Sequence, residues 1–407
     1  MALIVQKFGG TSVGDIDRIQ HVSDIVANTR KQGHDVIVVV SAMQGETDRL
    51  INLANTVVAS PNAREYDALI ATGEQVSAAL LSMSLISAQY PARSYTGFQA
   101  GIQTNDHHRK AEIMNIETEK LRVDIHEGRI PVIAGFQGIN DHGHITTIGR
   151  GGSDVTAVAL AAALNADECQ VYTDVEGVFT SDPRIVKDAR LLSQITFEEM
   201  FELAALGAKV LQRRAVEFAK KHQVPVRVLS TFQQGEGTLI AFAKEEQEHP
   251  QVSGIAFDRD QAKITVLGIP NDNVSVSKIL TAMHAAQIDV DMIIQNVVSE
   301  NDDVDFSFTV HMDDYYEALA ITQKIALSLS AREVIADNKI AKLSIVGLGM
   351  KTHASVASKM LQALGEEGIH IHLITSSEVK ISAVIDEKYL ELGARTLHAA
   401  FNLEKTH

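Results

Sequence analysis

Over residues 1 to 240, short runs dense in β-branched residues alternate with segments whose apolar positions recur every three or four residues. LIVQKF, DVIVVVSA, IPVIAGFQG, ECQVYTDV and VPVRVLS read as strands, and their near-continuous apolar character is that of strands covered on both faces. Between the first two, DIDRIQHVSDIVANTRKQG sets Ile16, Ile19, Val22 and Val26 at helical spacing, with Gly33 as the stop. Such alternation predicts βαβ units and an αβα sandwich with a mainly parallel sheet.

The pattern changes at AKEEQEHPQVS, a charged stretch with a Pro and no apolar period, which reads as linker. Beyond it the chain repeats itself. AKITVLGI from Ala262 and AKLSIVGLGM from Ala341 lie 79 residues apart, while Ser277-Lys278 aligns with Ser358-Lys359, and IDVDMI with IHIHLI, at 81. Each copy reads strand, loop, helix, strand, strand, and two copies fit paired βαββ modules better than a solenoid. The expected domains are therefore 1–243, a linker over 244–260, and modules at 261–335 and 336–407.

A chain of 407 residues exceeds one ordinary domain. The formal charge of −16 argues against nucleic acid as a partner, since backbone neutralisation needs clustered Lys and Arg. Cys169 is the one cysteine, so no intrachain disulfide can form. The N-terminus lacks a basic stretch followed by an apolar core, and no uninterrupted apolar run reaches the length of a membrane span. A cytoplasmic enzyme with no membrane association is the expectation.

The first strand feeds GGTSVGD, in which Gly9 and Gly14 have P-loop separation, but Asp15 stands where that loop requires Lys. The nearest cation, Lys7, precedes the glycines instead. TTIGRGGSDVTAVALAAALNA combines Gly149, Gly151 and Gly152 with Arg150, a capping Ser153, Asp154 and an Ala-rich helix. A helix N-terminus preceded by glycines exposes backbone N–H groups at the positive end of the dipole, which suits an anion. An ordinary N-cap would account for Ser153 alone; Arg150 among glycines favours a ligand. VYTDVEGVFTSDPR ends a strand with Asp174, Asp182 and Arg184 in the loop beyond, where open α/β sheets bind ligands. IATGEQVSAALLS starts an apolar helix with Glu74, and SAMQGETDRL leaves Thr47 in a loop after a strand. Three near-motifs are set aside. GLGMKT has Thr352 for the third glycine of a dinucleotide fingerprint, and DHGH and HIH have no further ligand at metal-like spacing.

Taken together, KFGGTS, TGE at 72–74, GRGGSD at 149–154, TDVEGVFTSDPR at 173–184 and GAKVL at 207–211 resemble the amino-acid kinase family and, within it, the aspartate kinases. The doubled module, with VDMIIQNV and LITSSEVKIS, resembles paired ferredoxin-like ACT domains. The resemblance spans essentially the whole chain. It implies an enzyme that transfers the γ-phosphoryl group of ATP, with Mg²⁺, to the β-carboxylate of L-aspartate, the first step toward lysine, methionine and threonine. By resemblance, Lys7 and Asp154 are catalytic. Phe8, Gly9, Gly10 and Ser12, with Thr173, Asp174, Phe179, Asp182, Arg184, Lys209 and Val210, bind ATP alongside Lys7. Ser41, Thr47, Glu74, Arg150, Gly151, Gly152 and Ser153 bind aspartate, Arg150 clamping a carboxylate and Glu74 the amino group. No metal is expected on protein side chains. The aspartate β-carboxylate has a reference pKa of about 3.9 and needs no general base, so Asp154 is assigned to orienting Lys7 or the metal-nucleotide.

Asn271, Gln295, Asn296, His370, Ser377 and Glu378 are the effector residues the resemblance implies, for lysine or threonine. Here the sequence departs from the family. NDNV occupies the first ACT loop where D-K-P-G is usual, Ala354 and Ser355 replace Pro-Gly in the second, and His370 stands where Asn is common. Weakened or altered feedback is expected. No Met lies between Met200 and Met283 to start a shorter subunit, which favours a homodimer or higher homo-oligomer joined through ACT domains. Two competing readings are a kinase of another carboxylate or carbamate, and an amino-acid-binding regulator without catalysis. The latter would have lost Lys7, Arg150 or Asp154, and all three are present.

Overall fold

The computed structural model describes residues 1–205, 210–242, 251–298, 303–349 and 354–405. The chain divides into two compact units, Met1–Phe179 with Leu191–Glu246, and Thr180–Arg190 with Gln247–His407.

In the first unit the strands are β1 (Leu3–Phe8), β2 (Asp35–Val40), β3 (Ala92–Tyr95), β4 (Ile102–Thr104), β5 (Ile113–Ile116), β6 (Ile130–Ala134), β7 (Gln137–Ile139), β8 (Ile145–Thr147), β9 (Glu168–Thr173), β10 (Gln194–Thr196), β11 (Val226–Ser230) and β12 (Thr238–Ala241). Its helices are α1 (Ile16–Lys31), α2 (Glu46–Val57), α3 (Ala63–Ile70), α4 (Thr72–Ser87), α5 (Glu119–His126), α6 (Gly152–Leu164), α7 (Phe197–Ala205) and α8 (Arg213–His222). Among the described residues, eight strands form one sheet in the order β10-β12-β11-β9-β1-β2-β6-β3, parallel except for the β11/β12 pair. A smaller sheet runs β5-β4-β7-β8.

All five apolar runs singled out by pattern contain strands. The predicted first helix is α1, begun by Asp15 accepting from the Arg18 N–H at 2.8 Å and followed by Gly33 at φ +87°. Ile19, Val22 and Val26 enter the core beneath the sheet, whereas Ile16, in the first turn, is half exposed. The run Ala63–Ser87 is long and apolar enough to cross a membrane on length and composition alone, but half of it is buried inside the protein and it carries the buried carboxylates Asp67 and Glu74. A core helix pair fits those facts.

The second unit holds β13 (Gln251–Pro270), α9 (Asn273–Ala285), β14 (Val290–Val298), β15 (Asp303–His311), α10 (Tyr315–Ser328), β16 (Glu333–Leu348), α11 (Ala354–Glu366), β17 (Ile371–Ser376), β18 (Lys380–Asp386) and α12 (Leu390–Ala400). They form a sheet in the order β14-β15-β13-β16-β18-β17. Each repeat thus shows the expected strand, helix, strand, strand, plus a closing helix.

The expected boundaries need correction. From Gln251 the supposed linker is strand, while 243–250 lie outside the described residues. Gln251–Asp258 pairs with Leu348–Lys342, and the later Lys263–Leu267 pairs with Asp337–Glu333, with register shifts between. Ile255 accordingly lies in the core of the second module, with Val252 and Phe257 packed on it, although this strand precedes the first module in the chain. The long β13 and β16 each serve both modules, so 261–335 and 336–407 are not independent pieces. The run 1–243 is also interrupted. Thr180–Arg190 leaves the first unit and buries Val186 in the second module's core. The Thr180 carbonyl accepts from the Ile255 N–H at 2.7 Å, and its hydroxyl lies 2.9 Å from His398 Nε2.

Candidate active site

Strands β9, β1 and β2 are adjacent and parallel, so Thr173, Lys7 and Ser41 arrive side by side at one edge of the sheet, the carboxyl ends of the strands. A cavity of about 1110 Å³ opens there within the first unit. Lys7 is 9% exposed, flanked in register by Val39 and Val171. An ammonium so placed needs a compensating charge, and Asp154 supplies it at 2.5 Å from the first turn of α6.

That turn is built by glycine. Gly149 and Gly151 adopt φ +84° and +70°, conformations that L side chains rarely take. A Cβ on Gly149 would stand 2.9 Å from the Arg109 carbonyl oxygen, and one on Gly151 2.0 Å from Gln212 Cγ. Gly151 is the N-cap and makes no side-chain cap bond, so Ser153 does not cap as expected. The left-handed turn instead places Ser153 inside the helix, its side chain against Gly135. Gly149 through Asp154 line the cavity at the N-terminus of α6, so Arg150 and the positive end of the helix dipole lie at its wall.

On another wall stands Glu74, 3% exposed. Its Oε1 accepts from the Ala42 N–H at 3.1 Å, while Oε2 has no hydrogen-bond partner among the described residues. Burial pushes its carboxyl up to about 7 from 4.5, against the lowering effect of backbone hydrogen bonds. A buried carboxylate with one oxygen unclaimed is a receptor for a cation. Thr47 faces the same space, but from the first turn of α2 and not from a loop.

The cavity gathers most of the expected residues: Lys7, Gly9 and Gly10 after β1, Thr173 and Asp174 after β9, Val210, Ser41, Thr47, Glu74, and Arg150 through Asp154. Others are elsewhere. Phe8 is core, stacked on Tyr172 at 4.7 Å, because alternation along β1 turns it away from Lys7. The Ser12 hydroxyl is buried 2.6 Å from that of Thr231. Phe179 bridges to Leu191. Asp182 and Arg184 belong to the second unit, where Arg184 is held by the Asp182 carboxylate at 2.6 Å, and neither lines the cavity. Lys209 lies outside the described residues. In the second unit, Asn271, Gln295 and Asn296 sit in the first module, with the latter two exposed on the outermost strand β14. His370, Ser377 and Glu378 flank β17, the opposite edge of the sheet.

Sequence reasoning missed Tyr66, Arg109, Lys110, Thr147, Gln212 and Arg214, all on the cavity wall. The Arg214 guanidinium donates to the Ile148 carbonyl at 2.8 Å, and Arg109 lies over the Tyr66 ring at 4.2 Å. The pair Arg109-Lys110 in a polar loop was the available signal. Among the described residues, five cations therefore wall the cavity with Glu74, Asp48, Asp154 and Asp174, an arrangement suited to a polyanion beside a zwitterion.

A family model described as the amino acid kinase family matches residues 2–230, and one for the ACT domain matches 343–401. The chain is 57% identical to an aspartokinase of Pseudomonas aeruginosa over 99% of its own length and 98% of that protein. It is 56% identical to an aspartate kinase of Pseudomonas putida, with the same shares covered. Among solved structures it is similar to E. coli aspartokinase III in complex with aspartate and ADP, at a TM-score of 0.79 and 26% identity over 98% of this chain and 99% of that one. The complex of the same enzyme with lysine and aspartate gives 0.78 and 26%, over 99% and 100%.

Proposed function

Because this chain belongs to the aspartokinase family of amino acid kinases, we propose that it is an ATP-dependent aspartate kinase, forming 4-phospho-L-aspartate. The observation that carries the reading is the convergence of the Lys7–Asp154 pair, the Gly149–Gly152 turn and Glu74 on one cavity.

Each group has a task in phosphoryl transfer, where positioning and charge stabilisation do most of the work. The aspartate β-carboxylate is ionised at neutral pH and attacks without a general base. Glu74 Oε2 receives the substrate ammonium, and Arg150 grips a carboxylate with its planar fork. Lys7 meets the transferring phosphoryl group, held in place by Asp154. Gly9 and Gly10 let the backbone approach the phosphates, while Thr173, Asp174 and Val210 stand on the nucleotide side. Mg²⁺ would be held chiefly by the nucleotide phosphates, with Asp154 and Asp174 among the carboxylates that line the cavity.

The two βαββα modules are read as a pair of ACT domains that bind an amino-acid effector, lysine or threonine, as the lysine complex of the E. coli relative suggests. Their outer strands β14 and β17 leave Ile293, Val297 and Ile374 exposed, edges suited to pairing with a second copy. Light scattering of the full chain tests that assembly, and a monomer at all concentrations would sink it.

The decisive experiment is acyl-phosphate formation with ATP and Mg²⁺, trapped with hydroxylamine, using L-aspartate beside L-glutamate and N-acetyl-L-glutamate. Product with aspartate alone is expected. No product from folded protein would leave an amino-acid-binding regulator as the surviving reading.

A further inference from the structure

We propose that Asp67, which is buried behind the cavity wall and does not line it, is the positioning residue of the aspartate pocket, tying the loop that bears Arg109 and Lys110 to the strand that leads into the glycine turn. The inference rests on the kinase reading above.

Asp67 projects inward from α3 and is fully buried. Its Oδ1 accepts from the Thr147 hydroxyl at 2.7 Å, and its Oδ2 from the Thr147 N–H at 3.2 Å and the Arg109 N–H at 3.0 Å. His108 Nδ1 adds a fourth contact at 2.8 Å. A buried carboxylate is a poor way to gain stability, because its desolvation offsets the attraction of its partners. Its use is geometric: four fixed donors, from two segments 41 and 80 residues away in sequence, are held to one point.

Both segments are walls of the cavity. Thr147 lines it and leads directly to Gly149 and Arg150, while Arg109 and Lys110 line it from the opposing loop. The two interlock, since the Arg109 carbonyl fills the space that a Cβ on Gly149 would need. The Arg109 side chain is fixed in turn, over the Tyr66 ring and donating to the Pro61 carbonyl at 2.8 Å. Asp67 thus sets the spacing between Arg150 and the Arg109-Lys110 pair, the spacing that a short dicarboxylate must match. With every oxygen engaged and no exposed surface, it is not a general base.

Asp67→Asn preserves shape but presents an N–H to a group that is itself a donor, so one wall is released. The expected result is an aspartate KM raised about tenfold or more, as loss of a charge-assisted bond implies, with the ATP KM within about twofold of wild type. Thr147→Val, which removes one of the same bonds, should act in the same direction. The double variant should be no worse than Asp67→Asn alone, because both substitutions break one linkage. An unchanged aspartate KM, equal losses for both substrates, or losses that multiply in the double variant would overturn the proposal. If Asp67→Asn does not fold, Thr147→Val decides by itself, and an unchanged aspartate KM there counts against it. Calorimetric binding of L-aspartate by the same proteins separates the two readings. Absent acyl phosphate in the wild type sinks the kinase assignment, whereas equal aspartate affinity in wild type and variants sinks the role of Asp67.

Discussion

The Lys7 ammonium stands 2.5 Å from the Asp154 carboxylate, with 11% and 9% of the two side chains exposed. Each makes the other's burial tolerable, and the pair sits near the end of a strand that, Gln6 apart, is otherwise apolar. An ion pair here aims Lys7 at whatever anion enters the cavity.

Asp154→Asn should therefore lower kcat by about 10²–10³, the usual scale for loss of preorganised charge stabilisation. Since Asp154 is not a base, the deficit should stay constant as pH rises. Steady-state kinetics between pH 6 and 9 check this, and a strong recovery at high pH would count against it.

Glu74 should make aspartate binding pH-dependent. Its carboxyl titrates at about 7 in the folded chain, and only the ionised form attracts an ammonium. The aspartate KM should fall as pH rises through 7, and Glu74→Gln should abolish that slope while raising KM.

The same group affects stability. Its folded-state value lies above the unfolded one, so stability is greatest below about 4.5 and is lost as pH rises through about 7, by on the order of 3 kcal/mol at full ionisation. Thermal melts with and without L-aspartate should show a larger ligand-induced gain at pH 8 than at pH 6. Equal gains for wild type and Glu74→Gln would refute the assignment.

Gly151→Ala should cost about 1–3 kcal/mol of backbone strain and most of the activity, because its methyl would collide with Gln212. Combining it with Gln212→Gly, which also removes the Cβ that would stand 2.5 Å from the new methyl, should recover the steric part only. Full recovery of activity in the double variant would show that the left-handed turn is dispensable.

Feedback should be weak or altered, because Asn271, Asp272, Asn273 and Val274 occupy the first module's loop. Asp272 is already committed, capping α9 through the Ser275 N–H at 2.6 Å. Inhibition assays with lysine, threonine and both together test this, and inhibition by each at concentrations ordinary for the family would refute it.

Much of the catalytic unit was legible because its signals are local. Glycines around Arg150, a cation before Gly9 and a carboxylate at a helix start mark anion and cation sites whatever the rest of the chain does. Arg109 and Lys110 show only as a cationic pair in a polar loop, and what holds that loop at the cavity is Asp67, bonded to the Arg109 N–H and to Thr147 from a remote part of the sequence. Asp182 and Arg184 are not among the described residues that line the cavity. They follow Thr173 and Asp174 closely, but the chain leaves the first unit after Phe179. At 251–260 the charged neighbourhood obscured a usable signal, for Val252, Ile255 and Phe257 pack on the second module's core.

By itself, the sequence determined the elements, the repeat and the residue types that carry the chemistry, since period, turn residues and caps act within a few positions. Tertiary structure alone decided which carboxylate neutralises Lys7, which loops meet at the pocket, and that one strand ahead of the first module completes the second. Those outcomes rest on contacts between segments far apart in the chain, where burial of charge and strand pairing select partners that no local pattern names.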